Sequence, residues 1–178
     1  VTSAWLRLTP APEARGVVVA FYDDVRSGCE AVSTILASGI QPTALEYLDR
    51  GALASSLGSF PFESPSDAGF AVLAEADGHS GEVAHVVEEL EEAMAKAALG
   101  KVLKITDRTE TSSVWSWRDG VSIAVTAQKG GTISEDVVVP GEKLAEAIEE
   151  TVRIGERHGL EACSWGHAGD GNLHSTFL

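Results

Sequence analysis

The sequence predicts an α+β protein, a ferredoxin-like β-α-β-β-α-β unit followed by a partial second α+β unit. Three observations predict it. Short β-branched and aromatic runs alternate with apolar stripes of helical period. Over residues 1–106 their order is that of the split β-α-β unit, and from Asp107 a similar order restarts without finishing.

The first strand is "GVVVAFYDD" (Gly16–Asp24), rich in residues that suit a pleated surface. Asp23 or Asp24 can cap a helix in which Val25, Cys29, Val32 and Leu36 recur at helical spacing, and Gly39 stops it. "TALEYLDR" (Thr43–Arg50) is the second strand. "GALASSLGSFPFESPSD" reads as a loop with a short helix at its start, and "GFAVLAEADG" (Gly69–Gly78) as the third strand. Ser80 is placed to cap a helix with a stripe of Val83, Val87, Leu90, Met94 and Ala97, closed by Gly100. Its glutamates 88, 89, 91 and 92 form a solvated face, and His79 and His85 are exposed. "KVLKIT" completes the first unit.

The second unit spans residues 107–178. "TETSSVWSWRDGVSIAVTA" fits either period and is read as helix, with Trp115 and Trp117 as packing residues. "TISEDVVVP" is a strand ended by Pro140. Leu144, Ile148 and Val152 mark a helix whose last turn holds Arg157 and His158 at the negative end of its dipole, before Gly159. "LEACSW" is a strand leading into "GHAGDGNLH". The chain opens on Val1 rather than Met, and the second unit stops unfinished, so a piece of a longer protein is expected.

Thirteen Lys+Arg against 27 Asp+Glu give a net charge of −14. That field repels phosphate backbones and anionic lipid, so no nucleic-acid or membrane-surface partner is expected. No apolar run is long enough to span a bilayer, and "VTSAWLRLTP" lacks the pattern of a secretion signal. Cys29 and Cys163 match neither a disulfide framework nor a metal-binding pair, which points to a reduced, cytoplasmic setting.

Chemistry concentrates in the last strand pair. Seven residues along a helix would set His167 and His174 on the order of 10 Å apart, and Gly166, Gly169 and Gly171 oppose a helix there. In one unbroken strand the odd separation would put them on opposite faces. A tight turn through "HAGDG", with glycines in left-handed conformations, removes both objections and lets the two imidazoles face each other. Asn172, His174 and Thr176 then share a polar face, while Leu173 and Phe177 take the core face. Two neutral imidazoles converging on one point suit Zn²⁺ or a similar divalent ion, with Asp170 as a further ligand or its support. A hairpin with ordinary surface histidines is the alternative. No dinucleotide loop, Walker sequence or nucleophile elbow is present.

"GHAGDGNLH" (Gly166–His174) resembles the signature of the C-terminal domain of FAD-linked oxidases, a group that includes D-lactate dehydrogenases, the glycolate oxidase flavin subunit and D-2-hydroxyglutarate dehydrogenase. "ALEYLDR" (Ala44–Arg50), "WSWR" (Trp115–Arg118) and "SEDVVVP" (Ser134–Pro140) are similar to further family segments in the right order. The resemblance implies a ferredoxin-like cap and substrate domain whose partner is its own N-terminal FAD domain, outside this chain. It implies FAD as cofactor, with Asn172 on the cofactor side. It further implies a divalent metal, commonly zinc, on His167, His174 and a glutamate of a downstream Glu-His-Gly segment that this sequence does not include. A histidine of that same segment often serves as base. Arg118 matches the arginine that grips the substrate carboxylate, with a planar two-pronged donor. Some 2-hydroxyglutarate-type members carry lysine about where Ser134 stands and asparagine where Thr176 stands, so that dicarboxylate is disfavoured.

The expected function is therefore that of a fragment from an FAD-dependent oxidoreductase acting on a lactate- or glycolate-like D-2-hydroxy acid by hydride transfer, with Arg118 and His174 as catalytic residues. The fragment alone is expected to be inactive, and a homodimer is expected as a further association. The rivals are a metal-free or ether-lipid-synthase-like flavoenzyme, a non-enzymatic ferredoxin-like regulatory or oligomerisation module, and a zinc hydrolase. The synthase type carries consecutive histidines where only His167 stands here, and the hydrolase needs three ligands within the chain.

Overall fold

The computed structural model describes residues 1–8, 10–129 and 132–178. In chain order the elements are β1 (Ala14–Tyr22), α1 (Val25–Ser38), β2 (Ala44–Asp49), α2 (Arg50–Ser56), β3 (Phe70–Gly78), α3 (Ser80–Ala95) and β4 (Leu103–Ile105). Then follow α4 (Arg108–Asp119), α5 (Val121–Lys129), β5 (Ile133–Val138), α6 (Leu144–His158), β6 (Ala162–His167) and β7 (Asn172–Phe177). One antiparallel sheet holds all seven strands in the order β4-β1-β3-β2-β6-β7-β5. The first four have the strand order of the ferredoxin-like unit. The second segment does not build a separate sheet; β6 adds directly to β2, over only Glu46–Leu48.

The sheet is covered on both faces. Val18, Ala20, Tyr22, Tyr47, Phe70, Val72 and Leu173 pack beneath α1, α3 and α6, whose Ile35, Leu90, Met94 and Ile148 are fully buried. Val17, Val19, Phe21, Leu48, Cys163 and Trp165 face α2, α4 and α5 through Leu53, Val114, Trp117 and Val125. Alternation along β1, β2 and β3 thus feeds two cores, which is why those sequences read as almost continuous apolar runs, whereas the edge strand β5 is exposed throughout. Full burial of each such side chain contributes about 1.5–3 kcal/mol. Cys29 and Cys163 are buried and unpaired in different cores.

Local sequence rules account for most element ends. Asp24 caps α1 by accepting from Ser27 N, and Gly39 closes it in a left-handed conformation. Asp107 caps α4 by accepting from Thr109 N and Glu110 N. Four expectations need correction. Leu36, read into the apolar stripe of α1, is exposed, and Ile35 is buried in its place. Ser80 opens α3 rather than capping it, and the cap position, His79, makes no side-chain cap bond. The stripe of α3 stops at Met94, because Ala97 lies beyond the helix with φ +60°. On α6 the buried positions are Leu144, Ile148, Thr151 and Gly155, while Val152 is partly exposed; the Thr151 hydroxyl meets Ser175 at 2.8 Å. A short polar residue bonded to the sheet replaces the apolar contact predicted one position later.

Asp49 ties the two segments together. It caps α2 through Ala52 N at 2.9 Å and accepts from Ser164 N on β6 at 2.7 Å. Burial pushes its carboxyl up to about 7, against the pull of those backbone N–H groups. The folded value lies above the unfolded one of about 3.9, so folding retains a proton that the unfolded chain has lost. That contribution is fully present below about pH 4 and disappears as pH climbs to about 7, each tenfold difference in proton affinity being worth about 1.4 kcal/mol. Thermal melts should therefore show the wild type losing stability between pH 5 and 7 relative to Asp49→Asn. Parallel curves for the two proteins would contradict this.

Candidate functional site

The site lies on the face of the sheet shared with α4 and α5, where three cross-strand rungs run through β6, β7 and β5. In the first, Glu46 of β2 stands opposite His167 of β6, which stands opposite Asn172 of β7. In the second, Leu48 stands opposite Trp165, Trp165 opposite His174, and His174 opposite Asp136 of β5. In the third, Cys163 stands opposite Thr176 and Thr176 opposite Ser134. His167 and His174 are therefore diagonal neighbours on one face, close enough to touch. Their ring centroids are 5.5 Å apart and nearly perpendicular, at 82°.

The four-residue bend that permits this uses its glycines differently from expectation. Gly171 alone of the three adopts a left-handed conformation, with φ +73°. A Cβ there would also lie 2.1 Å from the Val139 carbonyl oxygen. Gly166 has no such dihedral; it lets β6 approach β7, since a Cβ would lie 2.2 Å from the Asn172 carbonyl oxygen. Gly171→Ala should thus cost on the order of 2 kcal/mol in a denaturant titration, from the left-handed backbone and the collision together.

Each imidazole has a carboxylate behind it. Nδ1 of His167 donates to Oε1 of Glu46 at 2.7 Å, and Nδ1 of His174 donates to Oδ1 of Asp136. A carboxylate only accepts, so each neutral ring carries its proton on Nδ1 and presents a bare Nε2. The other oxygen of Glu46 takes a 2.6 Å hydrogen bond from an Nη2 proton of Arg118. Arg118 sits in the last turn of α4 and is 7% exposed; Glu46 is 6% exposed. One turn earlier, Trp115 donates its indole N–H to Glu75 of β3. The row is dry at Arg118 and Glu46 and opens towards His167 and Asp136.

Two buried side-chain atoms in this region lack a partner among the described residues, Nε of Arg118 and Oδ1 of Asn172. Buried polar atoms are rarely left so, and both lie on residues that the sequence singles out. A cleft of about 600 Å³ opens beside the row, between the loop after α1 and the hairpin, with Ile40, Gln41, Thr43, Glu46, His167 and Asp170 on its walls. Arg118 and His174 lie outside its walls.

The expected zinc centre is not met by this donor set. Among the described residues no group of three or more His, Cys, Asp or Glu side chains could hold a metal ion. The physical reason is local: Glu46 and Asp136 are turned to the Nδ1 atoms, and Asp170 accepts from Asn172 N in the bend rather than reaching the rings. Two Nε2 atoms remain, short of the four-coordinate requirement. Other sequence expectations fare differently. His79 and His85 are exposed and pair with Glu13 and Glu89. Trp117 is buried and donates to Ser56 O at 2.8 Å. Sequence reasoning did not single out Asp136, and it met Glu46 and Asp49 only as the glutamate and following aspartate of the family-like "ALEYLDR", with no role assigned. The signal for Glu46 was a carboxylate in the middle of an apolar strand that also carries Asp49 at its end; Asp136, on an exposed edge strand, had none.

The family model described as "FAD linked oxidases, C-terminal domain" matches residues 11–178. The chain belongs to this family. The FAD-linked oxidase domain is 31% identical over 176 residues to glycolate oxidase subunit GlcD of Bacillus subtilis, covering 99% of this chain and 37% of that protein. It is 28% identical over 181 residues to a D-lactate dehydrogenase of Anaerostipes hadrus, covering 98% and 38%. The chain thus spans a little over a third of the length of these relatives. A solved alkyldihydroxyacetonephosphate synthase superposes with a TM-score of 0.66 at 13% identity, over 95% of this chain and 37% of that one, which shows a shared fold. Among the described residues no helix is long and apolar enough to cross a membrane.

Proposed function

We propose that the chain is the substrate-side domain of a flavoprotein that oxidises a small D-2-hydroxy acid, lactate- or glycolate-like, to the 2-oxo acid. The observation that carries this reading is the unpartnered Nε of a buried arginine beside two imidazoles with bare Nε2 atoms. A desolvated guanidinium edge is suited to a carboxylate, and that contact would satisfy the orphan donor. The second-rung imidazole, His174, is suited to the neighbouring hydroxyl: its Nε2 accepts the hydroxyl proton, and Asp136 steadies the imidazolium that results. FAD, when bound, supplies the acceptor for the hydride leaving C2. The orphan Oδ1 of Asn172 fits a single polar contact to that cofactor. His167 and His174 could furnish two ligands to a divalent ion only if a third came from outside the described residues, and nothing in this reading passes through one.

Substrate size follows from charge. The three rungs carry no lysine or arginine, and Arg118 is already half neutralised by Glu46. Ser134 and Thr176, opposite one another, bond to each other at 2.9 Å. A second substrate carboxylate would have no cation to meet in these rungs, which favours a monocarboxylate. The partners are then the hydroxy acid and the FAD domain of the same polypeptide. The unpaired buried thiols support a cytoplasmic location, and the isolated chain is inactive for want of flavin.

The test uses the full-length protein. Its visible flavin absorption should bleach under anaerobic addition of D-lactate or glycolate, and D-2-hydroxyglutarate should act poorly. A spectrum that no D-2-hydroxy acid changes would sink the reading.

A further inference from the structure

We propose that Glu46 is a positioning residue that couples Arg118 to His167, so that a carboxylate arriving at the arginine is felt at the imidazole. The inference rests on the proposed function, because it presumes that Arg118 receives a carboxylate. It goes beyond it by assigning a role to a residue that touches no substrate.

The geometry is specific. Glu46 is buried, lies on β2, and spends one oxygen on each neighbour: Oε2 on Arg118 at 2.6 Å and Oε1 on Nδ1 of His167 at 2.7 Å. Of the three side chains in these bonds it alone belongs to the first unit, and the three-residue pairing of β2 with β6 puts it opposite His167. Arg118 reaches it from α4 on the same face. Among the described residues no second lysine or arginine shares Glu46, since Arg15, the other arginine paired with a sheet carboxylate here, goes to Glu75 at 4.0 Å. One buried carboxylate thus holds two groups with different tasks.

Two consequences follow. First, Glu46 fixes the tautomer of His167, because an ionised carboxylate accepts only and must be met by N–H. His174 is fixed independently by Asp136. Second, the two bonds to Glu46 compete for its charge. In a low-dielectric setting, where charges are weakly screened, each donor on a shared carboxylate weakens the hold of the other. A carboxylate taken up by Arg118 draws the guanidinium's field away from Glu46, and the Glu46–His167 bond tightens. Exposure grades in the right sense for this, from 8% and 7% for the arginine and glutamate side chains to 50% for that of His167. The signal passes from the dry end of the row to the open one.

The experiment is a set of proton–nitrogen NMR spectra of this chain labelled on histidine and arginine, with acetate as the probe. In the wild type, His167 should show its proton on Nδ1; in Glu46→Gln that preference should be lost, while His174 keeps its own. Acetate should move the Arg118 Nε–H signal and shift the His167 Nδ1–H proton downfield, and the second shift should vanish in Glu46→Gln. The proposal is overturned if His167 in the wild type carries its proton on Nε2, or if acetate moves Arg118 and leaves His167 unchanged. Failure of acetate to move Arg118 overturns both the coupling and the carboxylate-binding role, whereas a shift at Arg118 without one at His167 removes the coupling alone. The wild-type spectra decide the matter even if Glu46→Gln does not fold.

Discussion

Replacing Glu46 with leucine should destabilise the folded chain by about 3–5 kcal/mol, and adding Arg118→Met to the same molecule should restore most of that. The pair is buried on both sides, at 7% and 8% side-chain exposure. Removing the carboxylate leaves a guanidinium in a dry site with Nε already unpartnered. An uncompensated buried charge is costly; a pair of apolar side chains of similar volume is not. His167 also loses its partner, but half of its side chain is exposed, so water replaces that bond at little cost. Urea titrations of the two single variants and the double variant give the coupling directly. A change below about 1 kcal/mol for Glu46→Leu would mean that the pair behaves as a surface ion pair.

In the full-length flavoprotein, Arg118→Met should lower kcat/KM for D-lactate or glycolate about a hundred-fold, the equivalent of losing one charge-assisted pair. On the proposed reading most of the loss should appear in KM, because a carboxylate gripped alike in ground and transition states contributes uniform binding. Arg118→Lys should recover only part, since an ammonium cannot present two parallel donors and keep Glu46 at the same time. A change of less than about three-fold in steady-state kinetics would remove Arg118 from the substrate site. The two experiments separate what Arg118 does for the fold from what it does for a ligand.

Much of the fold was legible because its signals are local. Strand runs such as Gly16–Asp24 and Phe70–Gly78 show both faces buried through their composition, and Asp24 and Gly39 mark the ends of α1 by side-chain chemistry that acts over three or four residues. In one place where the reading slipped, a distant partner was responsible. Val152 was expected inward, but Thr151 finds Ser175 across the sheet and turns that position to the core. Of the three glycines only Gly171 is left-handed, and a side chain there would also collide with the Val139 carbonyl from another segment.

The site divides along the same line. By itself the sequence determined the hairpin and the pair of imidazoles on one face, because strand period and glycine placement act within a dozen residues; Arg118 became a candidate only through the family resemblance of "WSWR". Only the tertiary structure decided what stands behind those imidazoles. Glu46 lies 121 residues before His167, and Asp136 lies 38 before His174. They meet through the junction of β2 with β6 and the edge pairing of β7 with β5. No local rule specifies which strands become neighbours; that follows from how two apolar faces are buried at once. The same pairing turned two carboxylates towards Nδ1 atoms, so that neither joins His167 and His174 as a further donor, and among the described residues no group of three or more metal-binding side chains forms.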